Sequence, residues 1–328
     1  MSNLYVISGV TGMTGSQLAH QLMESGQTVI GFDNFFASSI DTVKDLLDIR
    51  NFIFHEWDIN NQCQMDDLKK EVLSVKEKYD KVIYINCAAV VHTEHFYEVE
   101  HTYTTNVVSM RSFLEQAIEI GAYAYINCST SEVYSMQSWN EDGGVREDDF
   151  LVLATAEHSQ RTSYAVGKLL TEFFMKDAVD KGRIKGCSIR FANVYSKHER
   201  FAKHIIPHII NQLLHGETVK LLENSQKNKR TFLHNIDSCN AVLGLINHPD
   251  ALDGTVYNVA TEEEISIVNL TKLIASKMGI ENPKIEFEGY RESDPERRLL
   301  NTDKLRTKTS WKPLVSLDEG LDLCIASI

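Results

Sequence analysis

Leu4-Tyr5-Val6-Ile7-Ser8-Gly9-Val10-Thr11-Gly12-Met13-Thr14-Gly15-Ser16 decides the fold. A short strand-like run passes straight into glycines spaced GxxGxxG, and an amphipathic helical stretch follows at once. Glycines allow a tight turn and a close approach to the backbone. The free amides and dipole of a helix N-terminus attract anions, so a strand, a glycine turn and a helix make a cradle for a pyrophosphate. Gly9, Gly12, Met13, Thr14 and Gly15 are therefore expected against a dinucleotide.

Outward from this unit, apolar strand-like runs recur at Thr28–Phe32, Phe52–His55, Lys81–Asn86, Tyr123–Cys128 and Gly186–Phe191. Helical patterns alternate with them at Thr14–Ser25, Met65–Lys78, Thr104–Ile120 and Ser163–Lys181. Such alternation predicts an α/β fold with a doubly wound parallel sheet of the Rossmann kind, covered on both faces. After Tyr195 the alternation stops. Helices around Ile205–His215, Ile236–Asn247, Ile267–Met278 and Leu317–Ile325, with short strands near Val256–Val259 and Ile285–Glu288, predict a smaller C-terminal α+β substrate lobe. The expected division is 1–194, which binds the cofactor and carries the catalytic residues, and 195–328, with some crossing between lobes. An acidic irregular stretch, Gln137–Arg161, is expected on the surface near the site.

Asp33 ends the second strand, 24 residues after Gly9. A carboxylate there accepts hydrogen bonds from ribose hydroxyls and repels a 2′-phosphate, which favours NAD over NADP. Asn34 follows it. Asp58-Ile59 comes after the third strand, where Asp58 either meets the adenine amino group or is a solvated turn aspartate.

The chain has 328 residues, 43% of them apolar and 24% charged. Lys plus Arg number 33 against 46 Asp plus Glu, a net charge of −13. An acidic chain without a basic block is a poor partner for nucleic acid or anionic membrane. No apolar run is long enough to span a bilayer, and the chain opens directly on a strand with no signal-peptide pattern. The six cysteines are scattered with no CxxC pair, which favours buried free thiols over zinc or disulfides and points to the cytoplasm.

A second motif carries chemistry. Tyr164-Ala165-Val166-Gly167-Lys168 puts a phenol and an ammonium four apart on one helix face. A neighbouring positive charge favours the phenolate, so Lys168 is expected to lower Tyr164 from its usual value of about 10 and make it a base. Upstream, Ser129-Thr130-Ser131-Glu132-Val133-Tyr134 ends a strand, where hydroxyls can meet a substrate alcohol or cap the following turn.

Taken together, the chain resembles an extended short-chain dehydrogenase/reductase of the NAD-dependent nucleotide-sugar epimerase/dehydratase family. The resemblance covers essentially the whole chain. It rests on Gly9-x-x-Gly12-x-x-Gly15, Asp33-Asn34, Asp58-Ile59, Cys87-Ala88-Ala89, Asn106, Ser129 to Tyr134, Tyr164-x-x-x-Lys168 and Arg190 to Tyr195. Further matches are Arg230-Thr231-Phe232 with Asp237, and Asp294 to Arg298 with Asp303-Lys304. It implies that Ala88, Ala89 and Asn106 lie at the cofactor and that Lys168 binds the nicotinamide ribose. Thr130 relays a proton, Tyr164 removes it from the sugar 4-hydroxyl, and NAD takes the hydride from carbon 4. Ser131, Asn193, Arg230 and Arg298 (with Arg297 the lesser candidate) would contact the nucleotide-diphosphate sugar.

Three outcomes branch from a 4-keto sugar: return of the hydride as a 4-epimerase, loss of water as a 4,6-dehydratase, or loss of carbon dioxide. Glu132, a possible base at C5, and Arg161-x-x-Tyr164 resemble GDP-sugar dehydratases and UDP-glucuronate decarboxylases, with the 4-epimerase, or a 4-ketosugar reductase, as the alternative. Ser135 stands where the family usually has glycine. His204 and His208 are four apart but Pro207 lies between them with no third ligand evident, so no metal is expected. His92, His95 and His101 read as loop histidines, one of which could touch the sugar. Helices Thr104–Ile120 and Ser163–Lys181 pair into a homodimer bundle in similar proteins, and Phe113, Ile118, Phe173 and Phe174 would allow it here.

Overall fold

The computed structural model describes residues 2–327 apart from 93, 137–142, 200 and 293. The first part of the acidic stretch expected from Gln137 therefore lies outside the described residues. Strands β1 (Leu4–Ser8), β2 (Thr28–Asp33), β3 (Phe52–Glu56), β4 (Val82–Asn86), β5 (Ala124–Thr130), β6 (Lys185–Phe191) and β7 (Asp253–Val259) form one parallel sheet. Its order is β7-β6-β5-β4-β1-β2-β3. β1, β2, β4 and β5 are buried along their whole length, as continuous apolar strands between two helix layers must be.

Helices α1 (Met13–Glu24), α2 (Gln62–Val75), α3 (Met110–Glu119), α4 (Thr162–Asp180) and α5 (Asn235–Ile246) supply those layers. On one face, Leu18, Ala19 and Leu22 of α1 meet Val242, Leu245 and Ile246 of α5. The other face is covered by Leu68 and Val72 of α2, Phe113 and Leu114 of α3, and Met175 of α4.

Two elements depart from the sequence expectation. Residues 256–259, assigned to the smaller lobe, belong to β7 and extend the large sheet beyond β6. The chain thus returns to the sheet after position 195, and α5 with it. The helix expected over Thr104–Ile120 is interrupted by a π-turn at Thr104–Ser109 before α3 begins. Such turns cluster at functional sites because the extra residue re-aims a side chain; this one carries Asn106.

The second lobe has its own core, where Ile209, Leu213, Leu221, Leu270, Ile274 and Leu321 pack together. Asp237, buried at the start of α5, accepts hydrogen bonds from the Leu314 and Val315 amides at 2.9 and 2.8 Å. Of the four residues proposed for a dimer face, Phe113 is core, Ile118 and Phe174 pack partly against it, and only Phe173 is exposed, at 65%.

The turn after β5 stores strain. Ser135 has φ +38° and ψ −101°, a region that favours glycine. A serine thus stands where the backbone conformation favours glycine. Ser135→Gly should therefore raise stability by about 1 kcal/mol. Urea unfolding would show it as a higher midpoint at unchanged slope, and an unchanged midpoint would mean that the strain is relieved elsewhere.

Candidate active site

In doubly wound sheets ligands bind outside the strand carboxyl ends, where the strand order reverses. Here that point lies between β1 and β4, and a cleft of about 810 Å³ opens there toward the second lobe. Every site residue predicted from sequence lines this cleft except Asp58, Asn106 and the lesser candidate Arg297. Asp58 instead accepts a 3.0 Å hydrogen bond from Asn34. Asn106 acts from behind: its side chain accepts from the Val90 amide at 2.7 Å and donates to the Val90 carbonyl at 3.1 Å, fixing the loop after β4.

The glycine turn is built for close approach. Gly9 has φ +69°, and a Cβ there would sit 2.7 Å from the Ala88 nitrogen. A Cβ on Gly15 would meet the Gly9 carbonyl oxygen at 2.2 Å, so α1 starts hard against the turn. Among the described residues no side chain caps α1, and its first amides face the cleft without intrahelical partners. Asp33 accepts from the Thr11 amide (3.1 Å), the Phe35 amide (2.9 Å) and the Ser38 hydroxyl (3.1 Å). This uncapped helix start and oriented carboxylate fit NAD. Gly12, Met13, Thr14 and Gly15 would hold its pyrophosphate and Asp33 its adenosine ribose.

At the other end, Tyr164 and Lys168 of α4 are both buried beside Thr130. Lys168 Nζ donates to the Cys128 carbonyl at 2.8 Å. The phenol of Tyr164 stacks on Phe96 with ring centroids 4.2 Å apart. Burial pushes the Tyr164 hydroxyl above its ordinary value, while the hydrogen bond with Thr130 pulls it down. This corrects the expectation that Lys168 lowers the tyrosine: its ammonium is committed to a carbonyl, and desolvation dominates at the phenol. Burial likewise lowers Lys168 from its ordinary value.

Glu132 occupies the centre of the cleft's charge. Arg298 donates to its Oε1 in a very short contact, and Arg161 donates to the same oxygen at 3.3 Å. Burial opposes ionisation, but the two guanidiniums overcome it and hold the carboxyl at about 2. Arg230 donates to Asp294 at 2.8 Å, Asn193 to the Thr231 carbonyl at 2.9 Å, and Arg297 to Glu264 at 2.7 Å, turned from the cleft. Arg298 is thus the arginine of its pair that reaches the site.

Sequence reasoning did not find Phe96, whose loop carries no pattern, or Glu172. The latter was legible, since Tyr164, Lys168 and Glu172 are spaced four apart on one helix face. Glu172 pairs with Arg190 through contacts of 3.0 and 2.7 Å and accepts the Ser129 hydroxyl at 2.5 Å. Ser129 is thereby turned to a structural partner, while Thr130 faces the phenol. His92, His95 and His204 gather with Phe201 at the cleft mouth, and His208 donates to, or is aligned with, the Lys220 carbonyl at 2.8 Å.

Known proteins are similar to this chain in sequence and fold. A mouse dTDP-D-glucose 4,6-dehydratase is 25% identical over 96% of this chain and 86% of its own. A zebrafish (Danio rerio) UDP-glucuronic acid decarboxylase 1 is 25% identical over 98% and 71%. The structure of a Bacillus cereus UDP-glucuronic acid 4-epimerase, solved with UDP-glucuronic acid and NAD, superposes with a TM-score of 0.86 at 22% identity, covering 99% of this chain and 98% of that one. The family model of NAD dependent epimerases and dehydratases matches residues 5–260. With its glycine cradle, Asp33 and the Tyr164–Lys168 face in one cleft, the chain belongs to the NAD dependent epimerase/dehydratase family.

Proposed function

We propose that this enzyme acts on a nucleotide-diphosphate sugar through a 4-keto intermediate and that the reaction ends by loss of carbon dioxide or water at C5–C6. The observation that carries the reading is Glu132, held between Arg298 and Arg161 in the cleft that Tyr164 and Thr130 share. NAD bound in the cradle supplies the hydride acceptor for sugar C4, and its positively charged ring favours ionised Tyr164. Tyr164 then takes the proton of the 4-hydroxyl, with the Thr130 hydroxyl hydrogen-bonded to the phenol oxygen. Arg230 and Asn193 offer donors to the diphosphate.

Proton affinity separates the two outcomes. A carboxylate held at about 2 is a weak base, so removal of a C5 proton by Glu132 requires the sugar to displace an arginine first. Decarboxylation asks no proton of C5, and Arg161 and Arg298 can partner a C6 carboxylate. The ion cage therefore favours the UDP-glucuronate-decarboxylase-like branch over the 4,6-dehydratase. A 4-epimerase or a 4-ketosugar reductase has no evident use for the caged carboxylate. We further place the enzyme in the cytoplasm as a homodimer, paired through the exposed Val166, Leu170 and Phe173 of α4.

Incubation of the protein and NAD with UDP-, GDP-, CDP- and dTDP-sugars, followed by mass spectrometry, distinguishes the branches. The expected product is lighter by about 44 for decarboxylation or about 18 for dehydration, masses that follow from the formulae of the groups lost. Turnover of none of these sugars would sink the reading. Tyr164→Phe should cut turnover by about 10²–10⁴-fold while NAD stays bound.

The ion cage makes a pH prediction. A carboxyl depressed in the folded state contributes stability above its unfolded value of about 4.3, and loses it as pH falls toward about 2. Glu132→Gln also leaves the buried Arg298 unpaired. It should cost about 3 kcal/mol at pH 7, with the gap to the unsubstituted protein closing between about pH 4.5 and 2. Urea melts across that range provide the test, and a gap independent of pH would refute the cage.

A further inference from the structure

Two cysteines lie face to face on the floor of the cofactor cleft. Asn86 of β4 pairs in register with Asn127 of β5, so the next residues, Cys87 and Cys128, stand opposite one another. Their sulfurs are 3.8 Å apart, and both residues line the cleft. In-register neighbours on adjacent strands lie close to the Cα separation that a disulfide requires, about 4.4–6.8 Å. Side-chain rotation can close the remaining gap. Cys187, Cys239 and Cys324 are buried, with the Cys239 thiol turned to the Thr14 carbonyl at 3.5 Å, and Cys63 is exposed. The 87–128 pair is thus set apart both by its geometry and by its opening to the cleft.

We propose that Cys87 and Cys128 form a reversible oxidation site, closed to a disulfide by hydroperoxides, which loosens the hold on the cofactor. The Cys128 thiolate attacks a peroxide oxygen, the O–O bond breaks, and the departing hydroxide takes a proton to leave as water. Cys87 sulfur then attacks the sulfenic sulfur; the S–O bond breaks, and the hydroxide leaves as a second water with the Cys87 proton. Two thiols are oxidised and one hydrogen peroxide is reduced, so atoms and electrons balance.

The surroundings favour this order of events. Contact with Cys87 and the charge of Lys168 lower the Cys128 thiol from its ordinary value, while the same contact and burial raise Cys87. The Lys168 ammonium, held at the Cys128 carbonyl, favours a thiolate within the pair. Functional consequences follow from position. The Cys128 carbonyl receives the Lys168 ammonium, and Cys87 leads directly into Ala88, whose amide stands against Gly9. Drawing the sulfurs together shifts both supports of the cradle.

The experiment uses the full-length protein as purified, treated with stoichiometric hydrogen peroxide and then alkylated. Intact mass should fall by about 2, alkylatable thiols should drop from six to about four, and one cross-linked peptide should join Cys87 to Cys128. By calorimetry the oxidised protein should bind NAD about tenfold more weakly, and dithiothreitol should restore it. Cys87→Ser and Cys128→Ser should each abolish the loss of 2 and show added oxygen instead. A cross-link to Cys239, oxidation confined to Cys63, or unchanged NAD affinity in the cross-linked protein would each overturn the proposal. None of these readouts depends on which sugar the enzyme converts.

Discussion

The buried ion pair between Arg190 and Glu172 is the constraint on which the site depends. Arg190 lies on β6 and Glu172 on α4, and each side chain is 5% exposed. The pair survives burial because its hydrogen bonds are nearly complete: Arg190 also donates to the Tyr134 hydroxyl at 2.8 Å, and Glu172 also accepts from Ser129. Tyr134 passes the connection to Asn258 of β7 at 2.7 Å. Three strands and α4 are thereby locked at one level, beneath the residues that line the cleft. Removing either charge would strand the other, a loss on the order of 3–5 kcal/mol. That lock sets how Tyr164 and Lys168 of α4 stand relative to Thr130 of β5.

Much of this was legible in the sequence because its causes are local. Continuous apolar strands between amphipathic helices can be satisfied only by a parallel sheet covered on both faces, and the first six strands were found within a residue or two. Glycine spacing after β1 and Asp33 after β2 speak through backbone geometry and charge, which neighbours in sequence determine. What stayed hidden depends on distant chain. The strand β7 looked like part of the second lobe because nothing near residues 253–259 reports that β6 has an open edge. The clamp on Glu132 joins position 132 to 161 and 298, and no spacing rule connects those three.

The Tyr164–Lys168 pair shows how spacing can mislead about electrostatics. Spacing places both side chains on one face of α4, and the structure agrees. Spacing alone does not say where the ammonium points. Lys168 turns to the Cys128 carbonyl, and the stacked Phe96 with the surrounding core keeps water from the phenol. In that setting desolvation outweighs a neighbouring charge and raises the phenol above its ordinary value.

Glu132 likewise depends on partners that its sequence neighbours do not reveal. It sits in the turn Ser131–Tyr134, where its own amide donates to the Thr130 hydroxyl at 3.2 Å and whose exit is strained at Ser135. Its two partners come from different parts of the molecule: Arg161 precedes α4, whereas Arg298 lies beside Arg230 in a short strand of the second lobe. The acidity of Glu132 is therefore a function of how the second lobe meets the sheet. With Arg298 in place the carboxylate is a weak base and a good anchor; with Arg298 drawn to a substrate anion it regains basicity, since the largest favourable charge acting on it has left. The proton affinity of Glu132 is thus set less by the residue type than by which anion holds Arg298.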